Sequence, residues 1–97
     1  MASSIEYLTY ILDLLREVDG ITYKKMMGEF LLYKDGVLFG GVYDDRFLVK
    51  KTKTTDEFGL RYELPYDGAK PMAVVEFDDV DEINKLVLKV ADEIAKR

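Results

Sequence analysis

Histidine and cysteine, the side chains that most often serve as general base, thiol nucleophile or metal ligand, do not occur among the 97 residues of this chain. Any reaction would fall to carboxylates, tyrosines and lysines. Each candidate group of those has a structural reading that suits it better. Asp44-Asp45 and Asp78-Asp79-Asp81 offer hard oxygen ligands for a divalent cation, yet Asp45 stands where a hairpin needs a turn former and Asp79 where a helix needs an N-cap. No metal is expected. Gly28, Gly36, Gly40 and Gly41 match neither a dinucleotide fingerprint nor a P-loop, and the pair Gly40-Gly41 inside a strand marks a bulge, a bend or close packing. The seven tyrosines read as amphipathic packing residues rather than catalytic acids. The chain is read as having no cofactor and no enzymatic activity.

The remaining chemistry is cationic. Lys24, Lys25, Lys50, Lys51 and Lys53 form the basic clusters, and with Tyr23 and Tyr33 as stacking surfaces they could contact nucleic acid. The net charge of −5 works against that reading, because phosphate binding depends on concentrated positive charge. Lysines on a strand edge also have a protective use against edge-to-edge pairing. Nucleic acid is therefore not expected to bind this chain on its own.

The elements that position these groups follow from pattern. Residues 26–50 read as three antiparallel strands, with residues 21–25 leading into them. Asp35-Gly36 is a two-residue hairpin turn in which both positions need φ > 0, and Asp44-Asp45 marks a second turn. In that regular register Leu32 faces Phe39, Tyr33 faces Leu38 and Val42 faces Phe47. One face then gathers Leu31, Tyr33, Leu38, Val42, Phe47 and Val49 under the helices. The other gathers Phe30, Leu32, Phe39, Gly41, Tyr43 and Leu48, with Lys34, Arg46 and Lys50.

Apolar spacing at Ile5, Leu8, Ile11, Leu12, Leu15 and Val18 predicts a helix over 4–18, opened by Ser3 with Glu6 and ended at Gly20. A short helix over 54–60, a strand over 61–64, a loop over 65–68 and a strand over 72–77 follow. Asp79 then opens a helix whose first turn is acidic and whose end carries Lys96-Arg97, as the helix dipole favours. The result is a single α+β domain over 1–97, a two-layer antiparallel sheet with helices on one face in the order α-β(3)-α-β(2)-α.

Because one helix layer covers one side of a sheet, Phe30, Leu32, Phe39, Tyr43 and Leu48 are expected to form an exposed interface, closed by a homodimer. At 48% hydrophobic and 34% charged the composition is globular. The absence of cysteine, of a signal-peptide pattern and of a long apolar run suggests a cytoplasmic protein without membrane contact.

Met26-Met27-Gly28, Leu32-Tyr33, Leu38-Phe39-Gly40 and Phe47-Leu48-Val49-Lys50 together resemble the N-terminal domain of the TfoX/Sxy family, whose pattern opens Arg-x-Met-Phe-Gly-Gly and continues with a Leu-Tyr strand, a Phe-Gly strand and a strand ending in Lys. Tyr66, Gly68-Ala69-Lys70-Pro71-Met72 and the acidic-capped last helix extend the resemblance over nearly the whole chain. Lys24 or Lys25 occupies the region of the family's Arg, and Glu29 replaces its second Gly. The resemblance implies the same element order and a frequent dimeric habit. It also implies kinship with regulators of natural competence that act beside a cyclic-AMP-receptor-type transcription factor. The expected function is a small cytoplasmic protein-interaction module with a transcription-factor partner.

Overall fold

The computed structural model describes residues 3–97, and its elements run α1 (Ile5–Leu14), β1 (Ile21–Met26), β2 (Glu29–Lys34), β3 (Val37–Tyr43), β4 (Arg46–Lys50), α2 (Lys53–Glu57), β5 (Tyr62–Glu63), β6 (Met72–Val74) and α3 (Val80–Ala95). The six strands form one antiparallel sheet in the order β1-β2-β3-β4-β6-β5. The α+β class stands, and the sheet gains a strand. Residues 21–25, taken as a lead-in, form with Met26 a strand that pairs with β2 over its whole length. The turn between them is Met27-Gly28, with φ of 52° and 83°, the same left-handed pair found at Asp35-Gly36 (50°, 81°) and Asp44-Asp45 (52°, 54°). Met is not a residue that announces such a turn, which is why this hairpin is silent in the sequence.

Helix boundaries follow their caps. Ser4, not Ser3, caps α1 by accepting from Tyr7 N, Thr52 caps α2 in a reciprocal box with Thr55, and Asp79 caps α3 by accepting from Glu82 N. α1 ends at Leu14 with Leu15 as its C-cap, short of the expected end at Gly20, which takes a positive φ of 78° in the turn that leads into β1. Leu8, Ile11 and Leu14 of α1 and Ile83, Leu86, Val87 and Val90 of α3 bury against one face of the sheet, forming the main core. Among the described residues no helix is long and apolar enough to cross a membrane.

The sheet faces differ from the regular register, and one residue causes it. Tyr33 pairs with Leu38, but Leu32 pairs with Gly40, so Phe39 has no partner and the ladder shifts there. A bulge of this kind rotates everything beyond it on the partner strand to the opposite side. Phe30, Leu32 and Phe39 therefore point into the helix-covered core, at 3%, 0% and 0% exposure. Leu31, Tyr33 and Leu38, assigned to the core, move to the outer side. Val42, Phe47 and Val49 keep their expected core placement.

Tyr43 and Leu48 do lie on the outer side, yet they too are buried, in a second cluster with Val74 that Leu31 and Met72 flank. The expected interface of Phe30, Leu32, Phe39, Tyr43 and Leu48 is thus not a surface: three of the five are core, Tyr43 lies against Tyr66 of the chain's own 64–71 loop, and Leu48 is fully buried in the second cluster. The argument for a homodimer through that patch falls with it.

Candidate functional site

The loop over the outer face is held by Arg46. Its Nε donates to the Tyr43 carbonyl oxygen at 3.2 Å, its Nη1 to Glu63 Oε1 at 2.7 Å and to the Leu64 carbonyl at 3.2 Å, and its Nη2 to the Pro65 carbonyl at 3.3 Å. One guanidinium so joins the end of β3 to β5 and to the start of the loop, using the fork of donors that only Arg provides. The same contact, followed by the neighbouring Arg61, holds the Glu63 carboxyl below its ordinary range. Tyr66 leans from the loop over Tyr43, with ring centroids 6.4 Å apart. Burial, then the neighbouring Tyr66, pushes the Tyr43 phenol upward, so it stays a neutral hydroxyl.

Between loop and sheet lies a cavity of about 480 Å³. Leu31, Leu38 and Met72 line it as an apolar floor, Tyr43 and Tyr66 as a wall, and Lys50, Lys51, Lys70 and Arg97 as a cationic rim. No acidic side chain lines it. Lys51 Nζ rests 5.1 Å from the centre of the Tyr62 ring, and Arg97 Nη2 donates to the Lys51 carbonyl at 3.1 Å. Lys50 and Lys70 form no ion pair among the described residues. A second cavity of about 300 Å³ between α1 and the end of β6 contrasts with it, because its Arg46 and Arg61 share the lining with Asp45 and Glu76.

The five candidate lysines do not converge. Lys50 and Lys51 belong to the cavity just described. Lys53 opens α2 and faces α3, where Glu93 accepts from Thr54 N at 3.2 Å. Those threonine hydrogen bonds, with a smaller contribution from Lys53, hold the Glu93 carboxyl down. Lys24 and Lys25 sit on β1, separated from β4 by β2 and β3, or roughly 14 Å at ordinary strand spacing.

β1 has its own character. It pairs on one side alone, through six uninterrupted pairs, with neither proline nor bulge, while the opposite edge strand β5 spans two residues. Five of its six residues are exposed, and Tyr23, Met26 and the adjoining Met27 are open at 51%, 46% and 96%. An unblunted edge of this length is a template for a further strand. Sequence reasoning missed it because Met27-Gly28 concealed the hairpin. It missed Lys70 and Arg97 because only the tertiary fold brings them beside Lys50.

The acidic pairs serve the fold, as their turn and cap positions suggest: Asp45 Oδ1 accepts from Ser4 N at 2.9 Å, and Asp79 caps α3. Gly40 and Gly41 serve close packing, since a Cβ on Gly40 would stand 2.3 Å from the Leu48 carbonyl oxygen and one on Gly41 2.5 Å from that of Phe30.

Comparison with known proteins places this architecture. Residues 13–82 match the family model for the TfoX N-terminal domain. A relative from Spirochaeta aurantia, described as an uncharacterized 12.7 kDa protein in the trpE 5′ region, is 34% identical over 84 residues, covering 84% of this chain and 71% of the relative.

Proposed function

Since the chain belongs to the TfoX N-terminal domain family, we propose that it is a non-catalytic protein-interaction module, related to regulators of competence and transcription, that docks an extended acidic segment of a partner protein along the free edge of β1. The observation that carries this reading is the six-residue edge itself, paired on one side and exposed on five of its six residues. Strand addition supplies affinity through main-chain hydrogen bonds, and alternate side chains supply selectivity. Lys24 and Lys25 fall on opposite faces of the strand, so an incoming strand meets positive charge on both.

Charge also argues against a second copy at this edge. A two-fold pairing centred on the strand would set Lys24 opposite Tyr23 and Lys25 opposite Thr22 of the second copy, leaving Lys24 of each chain diagonal to Lys25 of the other, within reach of repulsion between long side chains. A partner with carboxylates alternating along an extended segment meets no such penalty. A transcription factor is the class of partner that the family resemblance favours. The absence of histidine and cysteine supports a binding role over a catalytic one.

A labelled peptide alternating Glu with Val, titrated against its Lys-for-Glu counterpart, tests this. The acidic peptide should bind and slow amide exchange in β1, and Lys24→Glu with Lys25→Glu should weaken it about tenfold and reverse the preference, as expected when two exposed ionic contacts are inverted. Binding indifferent to the double reversal, or protection away from β1, would refute the reading. Nucleic acid is the competing occupant, and submicromolar, sequence-selective duplex binding at physiological salt would install it instead.

A further inference from the structure

We propose that the cavity beneath the 64–71 loop is a binding site for a small organic dianion with a flat apolar body, of which an aryl phosphate monoester is the simplest example. The site is separate from the β1 edge and does not depend on the docking reading. Its volume of about 480 Å³ falls within the ordinary range of small-molecule sites, roughly 300–1,000 Å³. Its lining joins apolar side chains to a group of cations.

The charge distribution selects the head group. In a chain whose net charge is −5, the rim presents Lys50, Lys51, Lys70 and Arg97 with no carboxylate among the lining side chains. Elsewhere Arg16 pairs with Asp13, Lys34 with Asp35, Arg61 with Glu63 and Glu76, Lys85 with Glu82 and Lys96 with Asp92, while Lys24, Lys25, Lys53 and Lys89 form no ion pair among the described residues; the rim differs from these in bringing four cations to one cavity. Lys50 and Lys70 are left with three donors each and no anionic partner among the described residues, and two ammonium groups match a double negative charge with several acceptor oxygens.

The interior selects the body. Leu31, Leu38 and Met72 form a floor only partly covered by the fold, and Tyr66, 64% exposed, forms a wall with the buried ring of Tyr43. A slot between a sheet and an overlying loop admits a planar group more readily than a globular one, and aromatic walls reward it by offset stacking. Arg46 prepares the site, because its four hydrogen bonds already tie the loop to the sheet.

The test is a titration of the protein with naphthyl phosphate, naphthoate, naphthol and inorganic phosphate, followed by backbone amide shifts and by tyrosine fluorescence. Naphthyl phosphate should saturate, with shifts at Leu31, Leu38, Ala69 and Met72, while each of the other three binds at least about tenfold more weakly, the loss of roughly one strong polar or apolar contact. Lys50→Gln and Lys70→Gln should each weaken it severalfold without changing the melting temperature, and Tyr66→Ala should weaken it while sparing inorganic phosphate. Naphthol binding as tightly would reduce the site to an apolar crevice. Naphthoate binding as tightly would overturn the dianion assignment. Shifts confined to β1 or to the cavity beside α1, or no saturable binding to folded protein, would remove the site altogether.

Discussion

Ser3 and Glu29, 26 positions apart, are joined by two hydrogen bonds to one carboxylate oxygen: Ser3 N donates to Oε1 at 3.0 Å and Ser3 Oγ at 2.9 Å. The second oxygen accepts from Asp44 N at 3.0 Å, and Ser3 Oγ in turn accepts from Asp45 N at 3.1 Å. The segment before α1 is thereby pinned to the β3–β4 turn. This is the use of an acidic residue where the family pattern has glycine. Glu29→Ala would remove the acceptor shared by three donors, of which Ser3 N keeps the Gly28 carbonyl at 3.1 Å and Ser3 Oγ the Val42 carbonyl at 3.3 Å, and should cost about 0.5–1.5 kcal/mol, read as a lower urea midpoint with unchanged slope. Glu29→Gln, which keeps one acceptor oxygen, should cost less.

The bulge at Phe39 makes adjacent leucines unequal. Leu32 is fully buried among the helices, whereas Leu31 lies half-covered on the outer side. Leu32→Ala should cost about 2–5 kcal/mol, as core truncations do, and Leu31→Ala clearly less. Equal costs, or the reverse order, in thermal or urea unfolding would restore the regular register.

Gly41→Val should destabilise the fold by at least about 1–3 kcal/mol, the usual cost of overpacking. Its Cβ would sit 2.5 Å from the Phe30 carbonyl oxygen and 2.8 Å from Tyr43 Cε2, and a backbone atom cannot swing aside as a side-chain tip can. Gly40→Ala should be at least as damaging, because two of its three nearest neighbours there are Leu48 main-chain atoms and the third is Val49 Cα. Melting temperatures of the two variants check this.

Met27 holds φ at 52° with its side chain 96% exposed. A left-handed non-glycine residue carries strain, and Asn carries less of it at this turn position. Met27→Asn should raise stability by about 0.5–1 kcal/mol, measured by the shift of the unfolding midpoint. If β1 and its turn are the docking edge, the same substitution should weaken peptide binding.

Alkaline pH should loosen the fold. Tyr43 is raised above its ordinary value of 10.0, first by burial and then by the neighbouring Tyr66, Glu29 and Tyr33, and Tyr7 is raised first by burial and then by Tyr10. With the folded value above the unfolded one, the stabilising contribution is complete below pH 10.0. It is lost as pH rises through the folded values, because the unfolded chain releases its protons first. Stability measured against pH should decline above 10.0, and Tyr43→Phe should make that decline shallower.

Local pattern and the tertiary fold divided the work along a physical line. Caps, turns and helix stripes depend on neighbours within a few positions, so Asp35-Gly36, Asp44-Asp45, Asp79 and the apolar face of α3 were legible in the residues themselves. The pairing of Val42 with Phe47 was legible as well, since a two-residue turn dictates it. What the strand pattern could not decide was where a ladder breaks. Gly40-Gly41 signalled a bulge, but the extra residue could be placed only by the competition among Phe30, Leu32 and Phe39 for the core under α1 and α3, and that one-residue shift reversed the sides of β2. The cationic cavity was further out of reach. Lys50, Lys70 and Arg97 have no sequence relation, and they share one rim only because Arg46 ties the 64–71 loop across a sheet face that the helices leave open.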